Sequence, residues 1–272
     1  MVDKSVKVAW FGKHFGEEPP LVGSNGAGGI FFAGCNLRCV FCQNYQISQG
    51  KVGQKEYSVE QLVEIMLGLQ KQGAENIDLV SPTIWFQQIK EAILAAKSRG
   101  LEVPVVWNSN AYESRQLLKE VEGIVGIYLP DFKYGDDRVA LRYSNAKNYS
   151  GIAKKAIEEM LGQVGNLKLE QGIAKKGVII RHLVLPNNLE NSFKALEIIA
   201  SIDKNIYLSL MSQYCPLHRA GEFPEINQEV SQEEFQQVFE YAQKLGLENG
   251  WIQQKESRKA FVPDFAEKEP FT

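Results

Sequence analysis

Hydrophobic and polar positions alternate along this chain in two patterns that follow each other in turn. Short apolar runs predict buried strands, and apolar residues three or four positions apart predict helices with one buried face. The clearest helix begins at Ser58, because Ser58 and Gln61 form the capping-box pattern in which each side chain meets the other's backbone N–H. Its apolar face runs from Leu62 to Leu69, and Gly73 ends it.

Six strands separated by helices are predicted in this way. The strands cover residues 29–32, 77–80, 103–107, 124–129, 178–185 and 206–211. The intervening helices cover residues 58–72, 84–99, 114–121, 152–161 and 192–201, and a last helix covers 232–245. A small hairpin is predicted over 167–176, and residues 131–143 and 212–230 are predicted to be irregular. Strands alternating with helices pair in parallel through right-handed crossovers. The predicted fold class is therefore α/β, and six units fit either a partial barrel or a doubly wound sheet.

Both architectures place their chemistry on the loops that follow the carboxyl ends of the strands. The polar segments of this chain occupy those positions. They comprise a cysteine-rich loop at 34–44 and the segments 81–83, 108–110, 131–133, 185–186 and 212–230. We therefore expect these segments to share one face of the sheet.

Composition and charge narrow the class of protein. The chain has 272 residues, of which 44% are hydrophobic and 23% charged, which is ordinary for a soluble globular protein. The net charge of −3 gives no general attraction to nucleic acid or to acidic membranes. No apolar run approaches the length of a membrane span, and residues 1–5 lack a signal-peptide core. We therefore expect a cytoplasmic protein that binds neither nucleic acid nor membranes.

Three of the four cysteines lie within eight residues of one another. Cys35, Cys39 and Cys42 have the spacing Cys-x3-Cys-x2-Cys, while Cys215 stands alone. Packed thiols in a cytosolic chain indicate a metal site rather than disulfides, and thiolates suit zinc, copper or iron–sulfur clusters. A structural zinc ion usually takes four protein ligands. A four-iron cluster held by three thiolates would leave one iron free to bind a substrate or cofactor.

The cysteine loop resembles the signature of the radical S-adenosylmethionine (SAM) superfamily, Cys-x3-Cys-x-aromatic-Cys, with Phe41 at the aromatic position. A wider resemblance points to the pyruvate formate-lyase activating-enzyme-like group within it. The matching stretches are 14–20, 34–48, 80–83, 127–134, 181–186 and 210–214.

This resemblance implies a fold, cofactors and partners. The expected fold is a partial (β/α)6 barrel in a single radical SAM domain spanning 1–272. Its parts would be an N-terminal extension at about 1–27, a barrel core at about 28–211 and a C-terminal loop and helix at about 212–272. The cofactors would be a 4Fe-4S cluster on Cys35, Cys39 and Cys42, and SAM bound to the open iron. Reductive cleavage of SAM would abstract hydrogen from a substrate, for example a glycine of a glycyl-radical-type protein. A flavodoxin or ferredoxin would donate the electron.

The resemblance also implies contacts to SAM around the cysteine loop and the loop at 81–83. Phe41 would lie against the adenine or simply pack under the loop. Asn44 would hydrogen-bond near the cluster or the nucleoside, or cap the loop. Ser81 and Thr83 stand where relatives often carry Gly-Gly-Glu, which holds the methionine amino group. Alternatively, one of these two residues caps the following helix.

Further SAM contacts are implied at three other strand ends. Asn108 and Asn110 stand where related activating enzymes carry Asp-Thr-Asn-Gly and would bind the ribose or carboxylate of SAM. Some relatives hold a monovalent cation near this point, where Asp131 would be an acidic partner. Lys133 matches a lysine that contacts the SAM carboxylate. Arg181 matches an arginine with a similar task, and its buried charge needs a partner.

Two other classes of function remain open at this stage. The chain could be a radical SAM enzyme that acts on a small molecule or another side chain. It could also be a non-catalytic iron–sulfur or zinc protein, and zinc would then need a fourth ligand from Cys215, His14, His182 or His218. Cys215 would be either a substrate-side thiol or an ordinary small residue, and His182 should face away from Arg181.

Overall fold

One mixed sheet organises the protein. The computed structural model describes residues 5–253 and 262–271, and within them ten strands form a single sheet. The strands are β1 (Ser5–His14), β2 (Ala27–Phe32), β3 (Lys55–Ser58), β4 (Ile77–Val80), β5 (Val105–Ser109), β6 (Ile127–Pro130), β7 (Lys168–Glu170), β8 (Ile173–Leu183), β9 (Tyr207–Met211) and β10 (Gly250–Gln253). The helices are α1 (Pro19–Val22), α2 (Tyr45–Ser48), α3 (Val59–Lys71), α4 (Phe86–Ser98), α5 (Arg115–Glu120), α6 (Asp137–Ser144), α7 (Tyr149–Val164), α8 (Leu189–Ile202) and α9 (Gln232–Lys244).

The middle of the sheet is parallel. Its order is β10-β9-β8-β6-β5-β4-β2-β1-β3, and all neighbours from β2 to β10 pair in parallel. β1 pairs antiparallel with β2 and with β3, and the short β7 forms the predicted hairpin with β8. The end strands β3 and β10 do not pair with each other within the described residues. The predicted α/β class with an unclosed, parallel-rich sheet is therefore confirmed.

The two faces of the sheet differ because successive side chains on a strand point to opposite sides. Leu79, Trp107, Tyr128 and Ile180 belong to the large apolar core that includes α3, α4 and α7. Their neighbours along the strands form a smaller apolar cluster on the other face. That cluster contains Leu21 of α1 together with Val106, Ile127, Leu129 and Ile179. We call this second side the inner face.

The inner face becomes polar towards the carboxyl ends of its strands. Asn108 lies two positions beyond Val106, and Arg181 lies two positions beyond Ile179. Both side chains line one cavity, together with Phe31 from β2 and Met211 from β9. Side chains from strands this far apart meet only because the sheet curves around the cavity.

Local signals explain where the helices begin and end. The capping box at Ser58 is present, with Gln61 N donating to Ser58 Oγ at 3.2 Å and Ser58 N donating to Gln61 Oε1 at 2.9 Å. The segment predicted to be irregular, 131–143, instead contains α6. Asp136 caps this helix by accepting from Arg138 N at 2.9 Å. Only Ala140, Tyr143 and Ser144 of the helix are buried, so its charged residues hid the short apolar face.

Further differences concern strands, among them β3, which carried no strand prediction. β1 lies within the predicted N-terminal extension, and β10 lies in the polar tail that carried no strand prediction. β5 begins at Val105, because pairing with β4 starts at the Ile77–Val105 register. This shift places Asn108 inside the end of the strand rather than in the loop. In the part of the chain that the structure describes, no helix is long and apolar enough to cross a bilayer.

Candidate functional site

The cysteine loop leaves the carboxyl end of β2 and is held by α6. Gly34 has a φ of +85°, a conformation that favours glycine, and it opens the loop. Arg38 N donates to Ser144 O at 3.1 Å, and Val40 N donates to Tyr143 O at 2.8 Å. The end of α6 therefore supports the loop that carries the thiols.

The three clustered thiols line one cavity of about 210 Å³. Each has a polar side-chain partner from a different element. Asn110 Nδ2 donates to Cys35 Sγ at 3.3 Å, and Ser144 Oγ donates to Cys39 Sγ at 2.9 Å. Ser48 Oγ lies 3.2 Å from Cys42 Sγ. These three contacts form a set of hydrogen bonds around the sulfur atoms.

The chemistry of this donor set fits a cluster of several metal atoms. Burial raises the pKa of Cys39 to about 12 and also raises the pKa of Cys42, so protons stay on these thiols until metal displaces them. Among the described residues, no three His, Cys, Asp or Glu side chains converge on the position of one ion. A four-iron cluster instead needs each thiolate at a different iron.

The residues considered as a fourth zinc ligand are mostly placed elsewhere. His182 lies on the side of the sheet opposite the inner face. There its Nδ1 is 2.7 Å from Phe132 O and its Nε2 is 3.0 Å from Ser192 Oγ. The His218 ring stacks on Tyr45 with centroids 4.9 Å apart. Of the four candidates, only His14 lines the cavity that the three thiols share, as far as the described residues show.

A charged network lines the same cavity. Arg181 Nε donates to Asp131 Oδ1 at 2.8 Å, Nη1 donates to Glu17 Oε2 at 2.8 Å, and Nη2 donates to Asn108 Oδ1 at 2.5 Å. Lys133 Nζ donates to Asp131 Oδ2 at 2.7 Å. Burial alone would raise the pKa of Asp131, but Arg181 and Lys133 outweigh it and hold that pKa below its usual value. We call Glu17, Asn108, Asp131, Lys133 and Arg181 the Arg181 network.

Two more carboxyl groups lie beside this network, deeper in the sheet. Burial raises the pKa of Asp78 well above its ordinary value and also raises that of Glu18. Asp78 Oδ2 accepts from Asn108 Nδ2 at 3.3 Å, while Asp78 Oδ1 has no hydrogen-bond partner among the described residues. Asn108 thus joins Asp78 to the Arg181 network, because its amide nitrogen donates to Asp78 and its carbonyl oxygen accepts from Arg181.

The structure gathers almost all predicted site residues around one cavity. Those that line it are Cys35, Cys39, Phe41, Cys42, Asn44, Ser81, Asn108, Asn110, Lys133 and Arg181. Thr83 does not: its hydroxyl donates to the buried Glu113 at 2.8 Å, which also accepts from Trp107 and Ser109. The individual SAM contacts stay predictions.

Several residues of the site carried no sequence-based prediction. Ser48 and Ser144 contact thiols, but isolated serines carry no spacing signal. Glu17 completes the Arg181 network, and its only sequence signal was its place in the stretch 14–20. Glu113 was missed because its partners are known only once β5 and the loop after it are placed.

The long loop at 212–230 packs against the cysteine loop. Arg219 N donates to Val40 O at 2.8 Å, and the Tyr214 ring meets the Phe41 ring edge-on with centroids 5.6 Å apart. Met211 and Gln213, where the loop begins, line the cavity. The loop therefore forms part of the cavity wall.

The fold and the thiol-lined cavity define a class of α/β metalloprotein, and comparison with known proteins gives the family. Residues 30–197 match the model of the radical SAM superfamily, and the chain belongs to this superfamily. Membership implies a 4Fe-4S cluster and SAM as cofactors, as predicted.

Three relatives illustrate the similarity in sequence. An uncharacterised protein of Methanocaldococcus jannaschii is 34% identical over 244 residues, which is 86% of this chain and 66% of the relative. A second uncharacterised protein of that organism is 24% identical, over 81% of this chain and 60% of its own length. A pyruvate formate-lyase-activating enzyme of Clostridium pasteurianum is 26% identical, over 71% of this chain and 75% of that enzyme. The chain thus spans about two thirds or less of the first two relatives.

Solved structures share the fold. The hydrogenase maturase HydG of Carboxydothermus hydrogenoformans has a TM-score of 0.58 at 12% identity, over 84% of this chain and 54% of that one. SuiB of Streptococcus suis, solved with its precursor peptide SuiA, has a TM-score of 0.57 at 12% identity, over 85% of this chain and 49% of that one. At this level of identity the likeness concerns the fold alone.

Proposed function

We propose that this protein is a radical SAM enzyme of the activating-enzyme type that abstracts hydrogen from a glycine of a partner protein. Its cluster ligands would be Cys35, Cys39 and Cys42. The observation that carries the proposal is the shared cavity, which three thiols line together with the Arg181 network. A 4Fe-4S cluster held by these thiols would supply one-electron chemistry for the reductive cleavage of SAM and for the hydrogen abstraction that depends on it.

The residues of the chain bind and orient SAM. Lys133 uses one hydrogen bond on Asp131 and keeps two ammonium hydrogens for the SAM carboxylate. All three nitrogens of Arg181 have protein partners, so Arg181 also fixes Asn108 and Asp131 in place before SAM binds. Phe41, Asn44 and the remaining predicted contacts at Ser81 and Asn110 would complete the site, and the 212–230 loop would exclude water.

A protein substrate is supported by two comparisons. A relative that covers 71% of this chain is named a pyruvate formate-lyase-activating enzyme, and SuiB was solved with a precursor peptide. A small reduced flavodoxin or ferredoxin would supply the electron. An enzyme acting on a small molecule is the alternative outcome of the test.

The first test is an anaerobic assay of SAM cleavage. The cluster is reconstituted, dithionite and SAM are added, and 5′-deoxyadenosine is measured by liquid chromatography with mass detection. Product is expected from the wild type and from Cys215→Ala, the matched control, but not from alanine variants of Cys35, Cys39 or Cys42. No product from an iron-loaded wild type, with or without candidate partners, would refute an enzymatic role.

The second test concerns the glycine. The active enzyme is incubated with a candidate glycyl-radical protein and examined by electron paramagnetic resonance. A glycyl-radical signal on the partner supports the proposal. Active SAM cleavage without that signal, but with deuterium transferred from a labelled small molecule to 5′-deoxyadenosine, would replace it with the small-molecule alternative.

A further inference from the structure

We propose that His14 binds the substrate from which the radical abstracts hydrogen. Its imidazole would form hydrogen bonds with an uncharged amide, such as a polypeptide backbone group. This inference rests on the proposed function and names the chemical class of the group that enters the site. Nothing in the sequence pattern assigns this role to His14, which entered only as a candidate zinc ligand.

The first observation is a buried imidazole without hydrogen bonds. His14 ends β1, is 7% exposed and lines the cavity. Neither ring nitrogen forms a hydrogen bond with another described residue. Glu17 Oε1 lies 3.7 Å from His14 Nε2, which is beyond hydrogen-bond distance. Because His14 lines the cavity, a group that enters there can supply hydrogen-bond partners to both ring nitrogens.

The second observation is the apolar wall around this ring. The Phe31 ring meets the His14 ring edge-on with centroids 5.7 Å apart, and the Phe271 ring lies 4.3 Å away. Phe31 and Phe271 also line the cavity. Trp10 and Phe265 pack behind them. Aromatic faces of this kind suit methylene groups and apolar atoms, so His14 is the polar point of an otherwise apolar surface.

The third observation is the charge of the ring. Burial and the nearby Arg181 charge lower the pKa of His14 to about 4, so the imidazole is neutral near pH 7. A neutral imidazole has one donor and one acceptor, and a backbone amide offers one of each. A substrate carboxylate would face the acidic Glu17, and a substrate ammonium would pair with Glu17 instead of the ring. An uncharged amide therefore matches this position.

The position of His14 separates it from the predicted SAM contacts. Ser81, Asn108 and Arg181 lie on β4, β5 and β8 or directly after them, within the parallel part of the sheet. β1 runs antiparallel and pairs with β2 on the side away from β4. His14 therefore reaches the cavity from beyond β2, and Glu17, whose other carboxylate oxygen binds Arg181, lies beside it.

The test uses the nuclear magnetic resonance of the imidazole nitrogens. The chain has 3 histidines, so ¹⁵N-histidine labelling gives few signals, and variants assign them. The probe is triglycine blocked at both ends, added to the SAM-loaded holoenzyme in its oxidised state. We expect the probe to shift the His14 nitrogen signals and to leave those of His182 and His218 unchanged. A shift of His14 on adding SAM alone, or no shift with the probe, would overturn the inference.

Affinity measurements make the test independent of spectral assignment. His14→Phe keeps the aromatic wall and removes the hydrogen bonds, so the probe should bind about tenfold more weakly while SAM affinity is retained. His14→Gln, which restores one donor and one acceptor, should recover part of the probe affinity. His218→Phe is the matched control outside the cavity. Equal probe affinity in His14→Phe and wild type would refute the role. These binding results do not depend on SAM cleavage, so they are distinguishable from a failure of the proposed function.

Discussion

The cysteine loop and the Arg181 network line one cavity, yet they are built in opposite ways. The loop holds three thiols within eight residues, 35–42. The network joins Glu17 to Arg181, which lie 164 residues apart, and adds residues from β5 and from the segment after β6. The thiols need a bound metal for their chemistry. The charges of the network already satisfy one another.

Because of this difference, the cysteine loop should matter for the chemistry alone, whereas the Arg181 network should also matter for folding. A thiol can be lost without leaving a buried charge, because burial keeps Cys39 and Cys42 protonated in the absence of metal. Removing one member of a buried ion-pair network strands its partners in an environment that excludes water. Substitutions in the loop should therefore abolish function and spare the fold. Substitutions in the network should damage both.

The largest effect is expected from Cys39→Ala. Loss of an outer partner of a metal ligand already costs 10–100-fold, so loss of the ligand itself should reduce 5′-deoxyadenosine formation by roughly 100-fold or more. Iron content should fall, while the urea unfolding transition of the metal-free protein should move little. Cys215→Ala serves as the control for thiol loss. Full iron content in Cys39→Ala would contradict the assignment of this thiol to the cluster.

The next effect is expected from Arg181→Met. This change leaves Glu17 and Asp131 without their shared cation and should lower the free energy of unfolding by about 3–5 kcal/mol. Combining it with Glu17→Gln should recover part of the loss, because one uncompensated charge is removed. Arg99→Met, at an exposed ion pair with Glu60 and Glu64, is the matched control and should change stability little. Equal losses at both arginines would contradict a special role for the buried network.

The same contrast explains which parts of the fold and the site could be predicted from the sequence. The thiols were predicted because their ligand spacing is local and specific. The parallel strands other than β10 were predicted because each is a short apolar run. Arg181 and Lys133 were expected to meet a SAM carboxylate, but their protein partners could not be foreseen. Which acid meets Arg181 depends on strand order and register, which a single sequence does not display.

The failures have a related cause. α6 was missed because three of its eight residues are charged and only three are buried, although its end holds the cysteine loop. β1 was missed because only part of it alternates clearly between buried and exposed positions. His14 and Ser144 gained their significance from contacts across the fold. Local chemistry can therefore be predicted from this sequence, whereas contacts that depend on the order and register of the strands cannot.

The third prediction uses pH to distinguish Asp131, within the Arg181 network, from Asp78, which lies beside it. The folded-state pKa of Asp131 lies below its ordinary value of 3.8, so its stabilisation is present above that pH and is lost as the pH falls through the folded value. The folded-state pKa of Asp78 lies above its ordinary value of 3.8. The stability that its protonated form contributes is therefore lost as the pH rises from 3.8 through the folded-state value. Urea unfolding should therefore show that the free energy of unfolding of Asp131→Asn falls relative to that of the wild type as the pH rises from 3 to 7.

Asp78→Asn is the matched variant and should change in the opposite direction. An amide resembles the protonated carboxyl group, so the variant should gain stability relative to wild type as the pH rises. Parallel pH profiles for the two variants would show that Asp78 and Asp131 titrate in similar environments, and the distinction between them would then be wrong.

The smallest effect concerns the hydrogen bonds to the thiols. Tyr134 OH lies 2.6 Å from Ser144 Oγ, which donates to Cys39 Sγ. A donor to a ligating sulfur stabilises the more negative, reduced cluster, so Ser144→Ala should lower its reduction potential. A difference of about 1 kcal/mol between the two redox states corresponds to roughly 40 mV for one electron. Redox titration followed by electron paramagnetic resonance measures this shift, with the exposed Ser98→Ala as control. An unchanged potential would mean that Ser144 only supports the loop and that its hydroxyl does not influence the reduction potential of the cluster.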